Sequence, residues 1–120
     1  MSSKQLELIK GTLDILIMKT VSWGPLHGYA ISRAIRTQTE EALHVEEGAL
    51  YPALRRLEKK GWLEGEWGQT ETGREARFYR ITPSGSAQLD RGLSDWREYV
   101  EAMSRVLFAP GPEGMSREAS

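Results

Sequence analysis

The sequence contains no cysteine. That excludes a disulfide scaffold and any thiolate metal site, and it favours an intracellular setting. No long apolar run is present either. The longest, Ile15 to Met18, is far too short to cross a bilayer. Acidic and polar residues interrupt Met1 to Lys10, so the N-terminus lacks a basic-then-apolar secretory signal. A cytoplasmic protein with no membrane partner is the expectation. There is little excess charge of either sign. Sixteen basic residues oppose seventeen acidic ones, for a net charge of −1 and a pI near 6.1. Any surface for an anionic partner must therefore come from local placement of cations. Two histidines, His27 and His44, stand without further ligands at metal spacing. No Ser-His-Asp or Cys-His arrangement and no phosphate-cradling glycine motif occurs, so nothing points to catalysis or to a cofactor.

What is there is one domain's worth of chain, 120 residues, 39% hydrophobic and 28% charged, an ordinary globular composition. A first helix is expected from about Leu6 to Trp23, with Leu13, Leu16, Ile17 and Val21 on one face and Ile15 and Met18 widening it. Gly24-Pro25 ends it. A second helix covers about Gly28 to Thr37, and Thr39 to Val45 reads as a connecting turn with one short extended piece. The third helix runs from about Glu47 to Lys60. Leu50, Leu54 and Leu57 form its apolar stripe, acidic residues begin it, lysines end it, and Gly61 suits the left-handed position beyond its end. Trp62 to Trp67 and Ala76 to Thr82 alternate as two strands around the polar tip Gly68 to Glu75, which makes a hairpin. Thr82 as N-cap and Pro83 at the first helical position open a fourth helix that continues to about Phe108.

This order, three helices, a hairpin and a long helix, is that of a winged helix-turn-helix, mostly α with a β-hairpin wing (α+β). The expected division is a winged-helix domain over 1–82, a dimerisation helix over 83–108 and a disordered tail over 109–120, rich in Pro, Gly and Ser.

The third helix carries the most informative face. With its leucines inward, Gly48, Pro52, Arg55 and Lys59 point outward, flanked by Tyr51 and Arg56, at roughly 100° per residue. Cations around a small Gly suit a major groove, where they meet phosphate and where Arg or Tyr reaches base edges. The same residues also describe a plain solvated helix face. Pro52 removes one backbone bond, which inside a helix costs about 3 kcal/mol. Its early, outward position leaves the freed Gly48 carbonyl open to water or a ligand. In the hairpin, Arg74 and Arg77 are candidates for phosphate or minor-groove contact, although Glu71 and Glu75 dilute the field. Lys10, Tyr29 and Ala49 complete the expected DNA-facing set.

The fourth helix has the clearest period. Leu89, Leu93, Trp96, Val100, Met103 and Leu107 are spaced 4, 3, 4, 3, 4, a heptad seam that Tyr99 and Val106 widen. Part of it can serve the chain's own core, and the remainder calls for a second copy in a homodimer.

Three sequence words stand out in order: GPLHGY from Gly24 to Tyr29, GALYPAL from Gly48 to Leu54 followed by Arg56-Leu57-Glu58, and Tyr79-Arg80-Ile81-Thr82. Together with Gly61, Gly85 and a Trp in the last helix, they closely resemble the PadR-like family of transcriptional regulators, over about residues 10 to 96. The resemblance implies a bacterial dimeric repressor of the short, single-C-terminal-helix subgroup, acting on double-stranded DNA with a palindromic operator. It places the Tyr51-Pro52 pair at the DNA. Ala49 and Glu46 depart from the hydroxyl residue and Ser cap usual there; a hydroxyl could bond phosphate, whereas Glu46 would repel it, which works against the customary N-terminal phosphate contact. It also implies that Trp96, with Val100 and Met103, lines a site for a flat aromatic or hydrophobic effector, against the alternative that Trp96 is interface packing. The competing function is a winged helix that docks protein and leaves DNA alone, which the near-zero net charge favours.

Overall fold

The computed structural model describes residues 5–9 and 11–112. The elements follow the chain as α1 (Leu13–Val21), β1 (Leu26–His27), α2 (Gly28–Gln38), α3 (Glu47–Lys59), β2 (Leu63–Gln69), β3 (Glu75–Ile81) and α4 (Pro83–Leu107). The strands form one antiparallel sheet in the order β1-β3-β2.

The stripe of α3 folds as its spacing requires. Leu50, Ala53, Leu54 and Leu57 are buried together with Ile17, Met18 and Val21 of α1, Ile31 and Ile35 of α2, and Leu63 and Tyr79 of the hairpin. The end of α3 is a Schellman motif. Gly61 takes φ +77°, its N–H donates to the Glu58 carbonyl, and the Trp62 N–H donates to that of Leu57 at 3.0 Å. The expected cap of α4 is also in place: the Thr82 hydroxyl accepts from the Gly85 N–H at 3.0 Å and donates to the Gly61 carbonyl at 2.6 Å. The end of α3 and the start of α4 are thereby tied together. Gly85 is needed there because a Cβ would lie 2.1 Å from the Trp62 carbonyl oxygen.

Three sequence expectations need correction. The first helix starts at Leu13, not Leu6, and stops at Val21, two residues short of Trp23. Gly11 adopts φ +89°, which breaks the helical path, and the Leu6 N–H instead donates to the Ala42 carbonyl at 2.8 Å. Of the apolar residues ahead of α1, Leu8 lies against the core without being helical, while Leu6 and Ile9 stay exposed. The short extended piece expected within Thr39 to Val45 is absent. Glu40 and Glu41 take positive φ there, and the Glu41 N–H donates to the Arg36 carbonyl, so the chain turns tightly. The additional strand lies ahead of α2 instead, where Leu26 pairs with Tyr79 and His27 with Phe78. Finally, the strands run further than expected, to Gln69↔Glu75, which shortens the tip to residues 70–74.

α4 leaves the body of the protein along its length. Gly85 and Leu89 are buried, Leu93 packs against the core, and Gly92 sits over Ile15 of α1. From Asp95 onward nearly every position is exposed. The projecting half accounts for the elongated outline, 65 × 38 × 22 Å. No described helix is long and apolar enough to cross a membrane. The expected disordered tail falls mostly outside the described residues, and those described, 109–112, are irregular.

Candidate nucleic-acid interface

α3 presents its polar face to solvent because its apolar stripe is consumed by the core. Gly48, Ala49, Tyr51, Pro52, Arg55, Arg56 and Lys59 are all exposed. These residues differ in what holds them. Arg55 and Lys59 make no ion pair among the described residues. Arg56 is engaged with Asp14 of α1 at 2.5 Å, which ties its guanidinium to the fold although about half of the side chain stays exposed. Glu46 stands at the N-cap of α3 without a side-chain capping bond, so a carboxylate is placed at the helix entrance.

The first two sequence words meet in space. A Cβ at Gly28 would lie 3.0 Å from Cε1 and the hydroxyl oxygen of Tyr51, so the Tyr51 ring lies directly on the Gly28 backbone. Exposed Tyr29 follows at once and runs parallel to the His27 ring at 6.4 Å. His27 has a structural duty that its sequence position did not reveal: its Nδ1 accepts from the Ala30 N–H at 3.3 Å as the N-cap of α2, and its ring meets Phe78 edge-on at 5.3 Å. Asp, Asn, Ser and Thr are the usual caps, which is why a His gave no signal. Among the described residues no three His, Cys, Asp or Glu side chains gather as metal ligands would. Lys10 lies outside the described residues.

The hairpin separates its three arginines. Arg74 is exposed at the tip and without an ion pair among the described residues; the tip is shaped by Thr70, whose hydroxyl accepts from the Arg74 N–H at 3.2 Å. Arg80 pairs across the strands with Glu64. Arg77 turns inward and pairs with Glu58 of α3, and its guanidinium lies 5.8 Å from the ring of exposed Trp67. Hydrogen bonding to Glu58 raises the proton affinity of Arg77. Burial pushes the Tyr79 phenol above its usual value, and the Glu58 carboxylate adds to that. Trp67, Glu58 and Gly65 were not among the expected site residues. An exposed Trp within a strand was the one available hint.

The seam of α4 is divided. Leu89 is 5% exposed and belongs to the protomer's own core, which withdraws it from any partner surface. Leu93 is half spent in the same way. Trp96, Tyr99, Val100, Met103 and Leu107 are exposed, with Val106 and Phe108 at 78% and 81%. Trp96 and Tyr99 lie together, ring centroids 6.3 Å apart, at a cleft of about 380 Å³ that Ile9, Thr12, Ile15 and Asp95 also line. Val100 and Met103, expected to share an effector site with Trp96, do not line this cleft.

The comparisons agree with this geometry. The family model for the transcriptional regulator PadR-like family matches residues 17–91. An uncharacterized protein of Lysinibacillus sphaericus is 34% identical over 107 residues, 89% of this chain and 96% of that protein. A transcriptional regulator of Mycobacterium tuberculosis is 29% identical over 85% of this chain and 88% of its own length. Among solved structures, a transcriptional regulator from Clostridium thermocellum superposes with a TM-score of 0.75 at 32% identity, covering 82% of this chain and 95% of that one. A PadR family transcriptional regulator from Eggerthella lenta gives 0.72 at 27% identity, covering 83% and 85%. The fold is thus that of PadR winged-helix proteins, a family of regulators and not of enzymes. With its winged helix, its outward α3 and its projecting last helix, this chain belongs to the PadR-like family of transcriptional regulators.

Proposed function

We propose that the protein binds double-stranded DNA as a homodimer and acts as a repressor on a palindromic operator. The observation that carries this reading is the outer face of α3, where Arg55 and Lys59 are exposed beside Tyr51 and Pro52 and make no ion pair among the described residues. In the major groove, Arg55 reads a base edge, Lys59 meets phosphate and Tyr51 contacts the backbone or a base. Arg74 at the wing tip reaches the flanking backbone. Net charge near zero is compatible with this, because the cations needed are concentrated on one face.

Dimerisation uses the projecting half of α4. Its exposed Trp96, Val100, Met103 and Leu107 continue one stripe, and a second copy covers that stripe through the same residues. A two-fold dimer presents two copies of α3 to half-sites about one helical turn, roughly 34 Å, apart. A flat hydrophobic effector bound at Trp96 would alter the angle between paired α4 helices and thereby the half-site spacing. The coupling requires only about 1–3 kcal/mol between the two states.

A mobility-shift titration on the DNA upstream of the protein's own gene tests the central reading. Specific, salt-sensitive retardation that disappears in a folded Tyr51/Arg55/Lys59 triple-alanine variant supports it. Unchanged retardation in that variant refutes the assignment of α3, and no retardation at all returns the protein-docking alternative. Fluorescence titration with planar aromatic dyes, using Trp96→Ala as control, tests the effector site. Equal dye binding by both forms places any site elsewhere.

A further inference from the structure

Arg77 has surroundings unlike those of a cation held out for a phosphate. It lies on β3 opposite Trp67, on the hairpin face that also carries Leu63, Gly65, Tyr79 and Ile81. That face closes onto the core, where Leu63 and Tyr79 are buried. The Arg77 side chain crosses over β2 at Gly65. A Cβ on residue 65 would stand 2.5 Å from Arg77 Nε and 2.8 Å from Cζ, so the missing side chain of Gly65 is what opens the path. At the far end the guanidinium donates to Glu58 Oε2 on α3, and on its outer side it lies beside the Trp67 ring. Both members of the pair are about one-third exposed, 32% and 30%. Arg74, three residues earlier, shows the contrast, since it is exposed and makes no ion pair among the described residues.

We propose that Trp67, Arg77 and Glu58 form a brace that sets the angle of the wing against α3, and that Arg77 and Glu58 are positioning residues for DNA recognition and not DNA ligands themselves. The proposal rests on the reading of α3 as the DNA-contacting helix. Beyond Gly65 the hairpin is largely exposed, so little of its outer part is held by the core. Among the described residues the Arg77–Glu58 pair is the one side-chain hydrogen bond between the outer hairpin and α3. A partly exposed ion pair adds little to global stability. Its effect is geometric: it restricts where the tip, and Arg74 with it, can lie relative to Arg55 and Lys59. It also accounts for a carboxylate on the flank of a DNA-facing helix. An isolated Glu58 would repel phosphate, whereas a Glu58 occupied by Arg77 is neutralised and useful.

The sign of the Glu58 effect separates the alternatives. Operator binding is measured across a salt series for the wild type, Arg77→Gln, Glu58→Gln, the double variant and Gly65→Ala, which leaves both charges intact but obstructs the crossing. The brace gives a loss of about 3- to 10-fold in each single variant and no further loss in the double. The slope of log K against log salt stays at the wild-type value. If Arg77 is a phosphate ligand, Arg77→Gln instead lowers that slope by about 0.9 and Glu58→Gln tightens binding or leaves it unchanged, which overturns the brace. A second measurement needs no DNA. Amide order parameters of residues 70–74 in the free protein fall in Arg77→Gln and Glu58→Gln while the melting temperature holds. Unchanged order overturns the brace, and it does so even if the wild type shows no DNA binding, which would refute the reading of α3 separately.

Discussion

α3 and α4 carry apolar stripes of the same period, yet the two stripes meet different fates. Leu50, Leu54 and Leu57 of α3 all close into the protomer's core. In α4, Leu89 does so, Leu93 does so in part, and the stripe from Trp96 to Leu107 continues into solvent. The outward surfaces differ in kind as well. α3 shows Arg55 and Lys59, a face for an anionic partner, whereas α4 shows Trp, Val, Met and Leu, a face for apolar company. Periodicity therefore reports that a face will be buried, and the length of the element relative to the core decides by what. At about 1.5 Å per residue, the 25 residues of α4 outrun a core built on helices of 9, 11 and 13 residues.

The largest effect that tests this contrast is on stability. Leu54→Ala is expected to destabilise the protein by about 2–5 kcal/mol at any protein concentration, because it opens a cavity in a packed interior. Leu107→Ala, in the same kind of stripe, is expected to lie within about 0.5 kcal/mol for the isolated protomer. Denaturant titration at two protein concentrations checks both, and a large, concentration-independent loss for Leu107→Ala would erase the distinction.

Next in size is the oligomeric state. Val100→Glu is expected to convert a dimer to a folded monomer, at a cost on the order of 2 kcal/mol or more, since the carboxylate would be buried without a partner. Val100 serves better than Leu93 here, because Leu93 also packs against the protomer's core and its loss would confound folding with assembly. Sedimentation velocity is the measurement. A monomeric wild type at micromolar concentration would leave the α4 stripe unexplained by self-association.

The outer face of α3 is expected to divide by pairing. Arg55→Ala costs about 1–3 kcal/mol of operator affinity and relaxes sequence preference. Lys59→Ala weakens all sequences alike and reduces the salt slope by about 1. Arg56→Ala acts less on DNA than either, because Asp14 already holds its guanidinium. Competition binding with mutated operators distinguishes base reading from phosphate contact. Equal effects of Arg55→Ala and Arg56→Ala would show that the Asp14 pair does not matter.

The smallest effect concerns the inner side of the brace. The Tyr79 phenol is raised above its ordinary value of 10.0, chiefly by burial. The folded state therefore holds the proton more tightly than the unfolded state. The resulting stability is fully present below about pH 10 and is lost as pH rises through the folded value. Tyr79→Phe is expected to flatten the alkaline decline of the melting temperature. An unchanged decline would assign it to other groups.

Much of the path to this fold was legible in short stretches of sequence. The leucine spacing of α3, Gly61 beyond its end, Thr82-Pro83 at the start of α4 and the alternation around the hairpin all report interactions between residues a few positions apart, and each stands where expected. So does the exposure of Tyr51, Arg55 and Lys59, which follows from the leucines opposite them. Position-by-position reading had less hold on the first helix. Leu6, Leu8 and Ile9 look helical in pattern, but Gly11 and the backbone bond from Leu6 to Ala42 draw that segment along another path.

What the sequence by itself determined, then, is the order of four helices and a hairpin, the end of α3, the cap of α4 and the inward and outward faces of α3, because those depend on local hydrogen bonds and on a helical or strand period. Only the tertiary structure decided that two residues, Leu26 and His27, would extend the sheet beside β3, since no period can be read in so short a segment. Only it assigned Arg77 to Glu58, 19 residues away, and left Arg74 exposed at the tip, because two arginines in one hairpin are chemically alike until the strand register points one at α3. The division of the α4 stripe was settled in the same way. Leu89 and Leu107 have the same side chain on the same heptad seam, and the finite size of the core buries the first and leaves the second exposed.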